Sequence, residues 1–360
     1  MIDGGVQPER IAAPRARPAP PTGNVGAVPG RPPVHAPRTG GTAVPGPFTH
    51  PALFYRGAAA YAAGVGGFVR TALAASEPVL VSVPQPCLDI LRDDLGPLFD
   101  EVQSADMGVV GRNPGRILAR LRDFADQHAG HAVRIVGEPI WAGRSTAETT
   151  EATRHEALIN LAFHGRAATI LCPYDVAALP AAVLADAHRT HPVLTEDGVT
   201  RPSGGYTDPL VVAGDCDTAL PEPTGARRTE YTAGRLADVR AVVQDWAGGV
   251  ALSAARRSDL LLAIGEATAN SLAHGGGRGR LRLWSADGHA VAEIRDAGRL
   301  TDPLAGRARP SLTGADGGRG LWMIHQLCDL VETRTSGTGF TIRLHMALDP
   351  RSGEEAGGPR

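Results

Sequence analysis

The sequence predicts an α/β protein of two unlike parts: a mostly parallel, three-layer α/β domain, then a two-layer α/β sandwich. Three observations carry this. In the first half, short continuous Val/Ile-rich runs alternate with helical stretches, the pattern of parallel strands buried on both faces. In the second half, helices group around strands joined by tight turns, one of them containing the hairpin dipeptide Asp287-Gly288. Between the halves, residues 196–228 lose periodicity and are rich in Gly, Pro, Asp and Thr, as linkers are.

The elements follow in order. Residues 1–47 hold 11 of the 29 prolines and no aromatic residue. Such a segment cannot bury enough apolar surface to offset its ordering entropy, so a disordered tail is expected. The first domain is expected over 48–195. There "VLVSV" (Val79–Val83), "MGVV" (Met107–Val110), "AVRIV" (132–136) and "ATILC" (168–172) read as strands. "PGRILARLRDFADQHAG" (114–130) reads as a helix, with Pro near its start and Gly at its end. The second domain is expected over 229–348. "RLADVRAVVQDWA" (235–247) is amphipathic, with Leu236, Val239, Val243 and Trp246 on one stripe. Ser253 is placed to cap the next helix. "RLRLWS" (280–285) and "AVAEIRD" (290–296) read as strands, then come a Gly/Pro/Arg-rich loop and a helix near 320–328. "LVETRT" (330–335) and "GFTIRLHM" (339–346) complete a four-stranded sheet, and 349–360 reads as a second disordered tail.

Composition excludes several functions. The formal net charge of -2 gives no electrostatic case for nucleic acid or an anionic membrane. The chain has no lysine, since all 36 basic residues are arginine. That rules out a P-loop, a Schiff base and a protein-kinase-type ATP lysine. Cys87, Cys172, Cys216 and Cys328 lie far apart, with none at CxxC spacing. Reduced thiols are expected, rather than a disulfide frame or a zinc site. The best membrane-span candidate, 58–75, is interrupted by Arg70 and by glycines. The N-terminus lacks the apolar core of a signal peptide. A cytoplasmic location is expected.

The stretch "LLLAIGEATANSLAHGGG", from Leu260, sets a polar line on an apolar helix. Glu266, Asn270 and His274 recur four residues apart, so they share one helical face. A carboxylate beside an amide carbonyl suits Mg²⁺, which wants oxygen ligands and keeps waters and substrate phosphates. Glu266 could also take a proton from an attacking hydroxyl. Alone, this spacing is common and reads as a solvated stripe. Three further segments change the weighing. In "RDAG" (Arg295–Gly298), Asp296 ends a strand and can accept from an exocyclic amine, while Gly298 lets backbone approach a flat ring. "DGGRGLWMI" (316–324) opens a glycine-rich loop onto a helix N-terminus, whose backbone N–H groups and positive dipole end favour phosphate. "SGTGF" (336–340) offers the Thr338 hydroxyl between Gly337 and Gly339.

In this order the four segments resemble the GHKL superfamily of ATP-binding domains, and most closely its anti-sigma-factor serine kinases. The resemblance covers about 229–347. It implies the Bergerat fold, with ATP and Mg²⁺ as cofactors. It places Glu266 as general base, Asn270 as Mg²⁺ ligand and His274 at the end of the same box. Asp296 would bond the adenine amino group, Gly318, Gly320 and Leu321 would cover the phosphates, and Thr338 would lie in the last box. The sequence departs at "DAGRL", where Leu300 stands in place of the usual second glycine. The lid loop, 302–317, carries Arg307 and Arg309. These would either grip phosphates by forked hydrogen bonds or be solvated.

The first domain resembles the MEDS sensory domain through "HPALFYR" (50–56), "VRIVGEPIW" (133–141) and "LCPYD" (171–175). This implies a fold related to P-loop ATPases without the loop, and input from an unidentified small-molecule signal. His50, Glu138 and Asp175 are candidates to line its site, or else are a cap, a strand-end contact and a turn acceptor. "TRHEALINLAF" sets His155 before Glu156, like the phosphoacceptor of a histidine kinase. It lies inside the first domain, with no dimerisation hairpin before the ATP domain. The expectation is therefore a signal-responsive, ATP/Mg²⁺-dependent serine/threonine kinase acting on an anti-sigma antagonist of STAS type, with a sigma factor as further partner and a homodimer possible. The alternatives are a non-catalytic, nucleotide-binding module that sequesters its partner, and a sensor histidine kinase.

Overall fold

The computed structural model describes residues 47–310 and 318–349. Almost all of both expected tails, and residues 311–317 of the lid loop, lie outside these. Eight strands make the first sheet: β1 (Phe48–Thr49), β2 (Pro51–Tyr55), β3 (Val79–Val83), β4 (Gln103–Asp106), β5 (Val133–Gly137), β6 (Ala168–Asp175), β7 (Val193–Glu196) and β8 (Val199–Pro202). Their order is β4-β3-β5-β6-β2-β7-β8, with β1 added on β6. Every pair is parallel except the β7–β8 hairpin. The helices between are α1 (Gly57–Tyr61), α2 (Gly67–Ala74), α3 (Gln85–Leu95), α4 (Met107–Val110), α5 (Ile117–Gln127), α6 (Thr146–Ala162) and α7 (Ala181–Thr190). α8 (Pro209–Asp215) follows β8.

Alternate residues of each strand enter two different cores, which is what makes three layers. Leu80, Ile135 and Ile170 pack with Leu118, Leu121 and Ile159 of α5 and α6. Val79, Val81, Val136 and Leu171 pack instead with Val69, Leu88 and Leu91 of α2 and α3. The parallel three-layer expectation holds. One element differs: "MGVV" is α4, not a strand. The strand is the polar "QSAD" before it, on the sheet edge, where apolar residues are not needed. Asp106 ends that strand and caps α4, accepting from Gly108 N at 2.8 Å. The stretch 196–228, expected as a linker, holds β8, α8 and the start of another strand.

That strand, β9 (Arg227–Thr232), opens the second sheet. α9 (Leu236–Gly248), α10 (Ala254–His274), β10 (Arg278–Ala286), β11 (His289–Asp296), α11 (Arg319–Leu327), β12 (Leu330–Ser336) and β13 (Gly339–Ala347) follow. The sheet is antiparallel throughout, in the order β12-β13-β11-β10-β9. It has five strands rather than four. β9 reads "RRTEYT" and buries only Tyr231, so it lacks the apolar signal of a strand. As expected, Ser253 caps α10, accepting from Arg256 N at 3.3 Å. Asp287 and Gly288 both have positive φ (49° and 71°), as the tight hairpin requires.

One face of this sheet is apolar. Leu281, Leu283, Ile294, Ile342 and Leu344 pack on Val243, Leu260, Ile264 and Ile324 from the helices. The opposite face carries a buried charge ladder. Arg282, Glu293, Arg343 and Glu332 lie in one row across β10, β11, β13 and β12. Arg282 and Arg343 both pair with Glu293, at 3.4 and 2.6 Å.

The described residues all fall in one compact unit. Its two sheets are joined by specific contacts. Arg116 donates from Nε to His325 O and from Nη2 to Cys328 O, both at 2.7 Å, at the C-terminal end of α11. Asn113 Nδ2 also reaches His325 O, at 3.0 Å. Glu151 of α6, 1% exposed, accepts from Arg334 of β12 and from Arg307 of the lid.

Candidate functional site

α10 sets Glu266, Asn270 and His274 along one face, and β11 ends beside it at Asp296. Asn270, His274, Asp296, Gly298, Gly318, Gly320 and Leu321 line one cavity of about 400 Å³. Ala267, Phe340 and Ile342 give it an apolar wall, suited to a flat ring with polar groups at its edge. Residues from α10, the β11 end and the α11 N-terminus therefore share one cleft.

Local geometry orients each group. Asp296 Oδ1 accepts from Gly298 N at 2.7 Å, which fixes its carboxylate in an Asx turn. Gly339, at φ +133°, lies under the same residue: a Cβ there would come 2.0 Å from Asp296 O. Gly318 is the N-cap of α11 at φ +99°, so the helix begins at the cavity rim. A Cβ on Gly320 would meet Glu266 Oε2 at 2.9 Å and Asn270 Nδ2 at 3.0 Å. The first turn of α11 thus rests on these two side chains. Such a helix start concentrates free N–H groups and positive dipole.

Two predicted residues stand apart from the cavity lining. Glu266, half-buried, lies beside Gly320. Thr338 sits in the exposed β12–β13 turn, where it accepts from Arg295 Nη2 at 2.8 Å and bonds Ser336 Oγ at 3.0 Å. Leu300 does line the cavity. Of the two lid arginines, Arg307 takes neither role expected of it. Arg307 is buried, 3% exposed, and donates to Glu151 Oε2 at 3.2 Å. Arg309 is exposed and pairs with Asp123 at 3.8 Å. Arg307 is thus engaged by the first domain, while Arg309 is a largely solvated residue, the second role expected.

In the first domain the suspected residues divide. His50 lies in a buried cluster with Glu156, Cys172 and His191. Glu138 belongs to another, accepting from Tyr55 Oη at 3.3 Å and Tyr61 Oη at 3.4 Å. Burial raises its carboxyl to about 8. Asp175 accepts from Ala177 N at 2.9 Å, the turn acceptor. His155 is 1% exposed, and burial pushes its imidazole down to about 3. A phosphoacceptor must reach a donor nucleotide, and this side chain does not.

Sequence reasoning missed Glu151 and Arg154, and read Glu156 only as the neighbour of His155. The available signal was α6 itself, "TAETTEATRHEALINLA", whose polar residues have no separate wet face. Glu151, Thr153, Arg154, His155 and Glu156 are all buried. A helix polar all round yet buried must be satisfied by partners elsewhere.

Fold and cleft define the class: a parallel-sheet domain fused to an antiparallel sandwich with a glycine-rimmed cavity. Residues 49–192 match the MEDS family, the methanogen/methylotroph DcmR sensory domain, and residues 229–346 match the histidine kinase-like ATPase domain. The chain therefore joins a MEDS domain to a histidine kinase-like ATPase domain. No curated protein matches the sequence. Among solved structures, the RsbU and RsbW domains of Rv1364c from Mycobacterium tuberculosis are similar over 36% of this chain and 32% of that one, at 20% identity and a TM-score of 0.25. This chain thus spans about a third of that neighbour's length. Among the described residues, no helix is long and apolar enough to cross a membrane.

Proposed function

We propose that the ATPase-like domain binds ATP with Mg²⁺ and transfers a phosphoryl group to a serine or threonine of an anti-sigma antagonist of STAS type. The observation that carries this is the shared cavity of Asn270, Asp296 and the Gly318–Gly320 helix start. The residues fit the ligands: the helix start at Gly318–Gly320 lies directly against Glu266 and Asn270, with no room for a Cβ at Gly320. In this reading, Asp296 recognises the adenine amine. The N–H groups at the start of α11 hold phosphate oxygens. The Asn270 carbonyl oxygen, with phosphate, holds Mg²⁺, which neutralises charge on the transferring group. Glu266 orients the attacking hydroxyl and receives its proton. Positioning and charge neutralisation supply most of the rate in phosphoryl transfer, so no covalent participant is needed.

Control by the MEDS domain is supported by the buried pair between Arg307 of the lid and Glu151 of α6. A second reading is favoured by Leu300. It occupies cavity wall where the resembled kinases carry glycine, and it suits a module that binds nucleotide and sequesters its partner without transfer.

Calorimetric titration of the full chain with Mg²⁺ and ATP tests the first step, and labelled ATP with a candidate STAS protein tests the second. Wild type is expected to bind and to transfer, and Asn270→Ala to do neither. Binding and transfer by Asn270→Ala at wild-type level refutes the mechanism. Tight binding by wild type without transfer to any partner selects the second reading.

A further inference from the structure

We propose that His50, Glu156, Cys172 and His191 form a closed binding site for one divalent transition-metal ion, zinc first, in the core of the MEDS domain. The four side chains come from four elements. His50 lies between β1 and β2, Glu156 on α6, Cys172 on β6 and His191 at the end of α7. β2 pairs with both β6 and β7, which brings the two histidines and the cysteine together. All four are buried, at 0 to 1% exposure.

The donor atoms crowd one point. Glu156 Oε2 lies 3.1 Å from His50 Nε2, 3.2 Å from His191 Nε2 and 3.3 Å from Cys172 Sγ. His50 Nε2 lies 3.3 Å from Cys172 Sγ. Zinc bonds of about 2.0–2.3 Å place the ligand atoms of a tetrahedral site about 3.3–3.7 Å apart. The observed edges need only a small outward movement to admit an ion.

Charge and hydrogen bonding favour the same assignment. A protein-only network asks one carboxylate oxygen to serve three neighbours. It also leaves Glu156 Oε1 without a hydrogen-bond partner among the described residues, which is costly in a dry core. With a divalent ion, the glutamate and thiolate charges are balanced and both imidazoles are neutral ligands. The thiol proton of Cys172 leaves on binding. The outer nitrogens are already fixed for this. His50 Nδ1 meets Asn160 Oδ1 at 3.1 Å, and His191 Nδ1 meets Ala187 O at 3.0 Å. Both oxygens accept, and Thr190 Oγ1, 2.9 Å from His191 Nδ1, donates to Asp186 O and is free to accept as well, so each ring can carry its proton on Nδ1 and turn the Nε2 lone pair inward. Asn160 Nδ2 in turn donates to Thr190 O at 2.8 Å, next to His191. Two imidazoles, a thiolate and a carboxylate select zinc, cobalt or ferrous iron over magnesium or calcium. Four protein ligands with no open position mark a structural ion.

The test uses the full chain, purified without chelator from zinc-supplemented culture and analysed for metals. One equivalent of zinc or iron per chain is expected to survive dialysis. After exchange for cobalt, wild type is expected to show the visible bands of tetrahedral cobalt and a thiolate charge-transfer band in the near ultraviolet. Cys172→Ser is expected to lose the charge-transfer band. Asn160→Ala keeps all four ligands, so it remains informative if a ligand variant fails to fold. Its zinc affinity is expected to fall about 10- to 100-fold. A folded wild-type chain with only trace metal and no uptake of cobalt overturns the proposal. So does a charge-transfer band unchanged in Cys172→Ser, or wild-type zinc affinity in Asn160→Ala.

Discussion

Replacing Glu138 with glutamine should remove most of the pH dependence that this residue imposes on stability. Glu138 is 3% exposed, and burial raises its carboxyl from 4.5 to about 8. The folded pKa lies above the unfolded one, so the folded chain keeps a proton that the unfolded chain releases. Glu138 is therefore harmless below the usual carboxylate range, and stability falls as pH rises toward about 8. At about 1.4 kcal/mol for each tenfold step, the loss between pH 5 and pH 8 is about 3–4 kcal/mol. Glutamine has nearly the same shape and can still bond Tyr55 and Tyr61. Urea unfolding of Glu138→Gln and wild type at both pH values measures the difference. The variant should be within about 1 kcal/mol of wild type at pH 5 and about 3 kcal/mol more stable at pH 8. Parallel stability curves for the two proteins would refute the reasoning, because Glu138 would then be ionised in the fold.

Three further outcomes are expected. Glu151→Ala removes the carboxylate that Arg154, Arg307 and Arg334 share, all three under 9% exposed, and should cost about 3–5 kcal/mol; a loss below about 1 kcal/mol on urea unfolding would contradict the buried network. Gly320→Ala puts a Cβ 2.9 Å from Glu266 Oε2 and should weaken Mg²⁺-ATP binding about tenfold or more by calorimetry, with thermal stability little changed. Unaltered affinity would remove α11 from the phosphate site. Arg116→Ala deletes two 2.7 Å bonds to the last turn of α11 and should cost about 2–4 kcal/mol; amide exchange in α11 should accelerate, and unchanged exchange would count against the contact.

The parallel sheet was legible because β3, β5 and β6 are buried on both faces and must read as continuous apolar runs. β4 and β9 were not, because edge strands carry polar and charged residues that periodicity assigns to loops. The cleft was legible piece by piece, since each piece needs local chemistry: glycine at Gly320 and Gly339, an acid at the strand end, an amide one turn beyond Glu266. The position of Thr338 was not, because its turn is held by Arg295, a partner 43 residues away. The buried cluster around Glu156 has no sequence signature at all. Its members come from four elements, and only the order of strands in the sheet brings them together. The same holds for Arg307: charge alone suggested phosphate or solvent, and its partner Glu151 lies 156 residues away.

α11 is nine residues long, a rod of about 13 Å. One tip rims the cavity and the other is gripped by Arg116 and Asn113 from beyond the domain boundary. A short helix does not bend over such a length, so whatever shifts the turn at 113–116 must displace Gly318 as well. The fold has built a lever, with the first domain holding the handle.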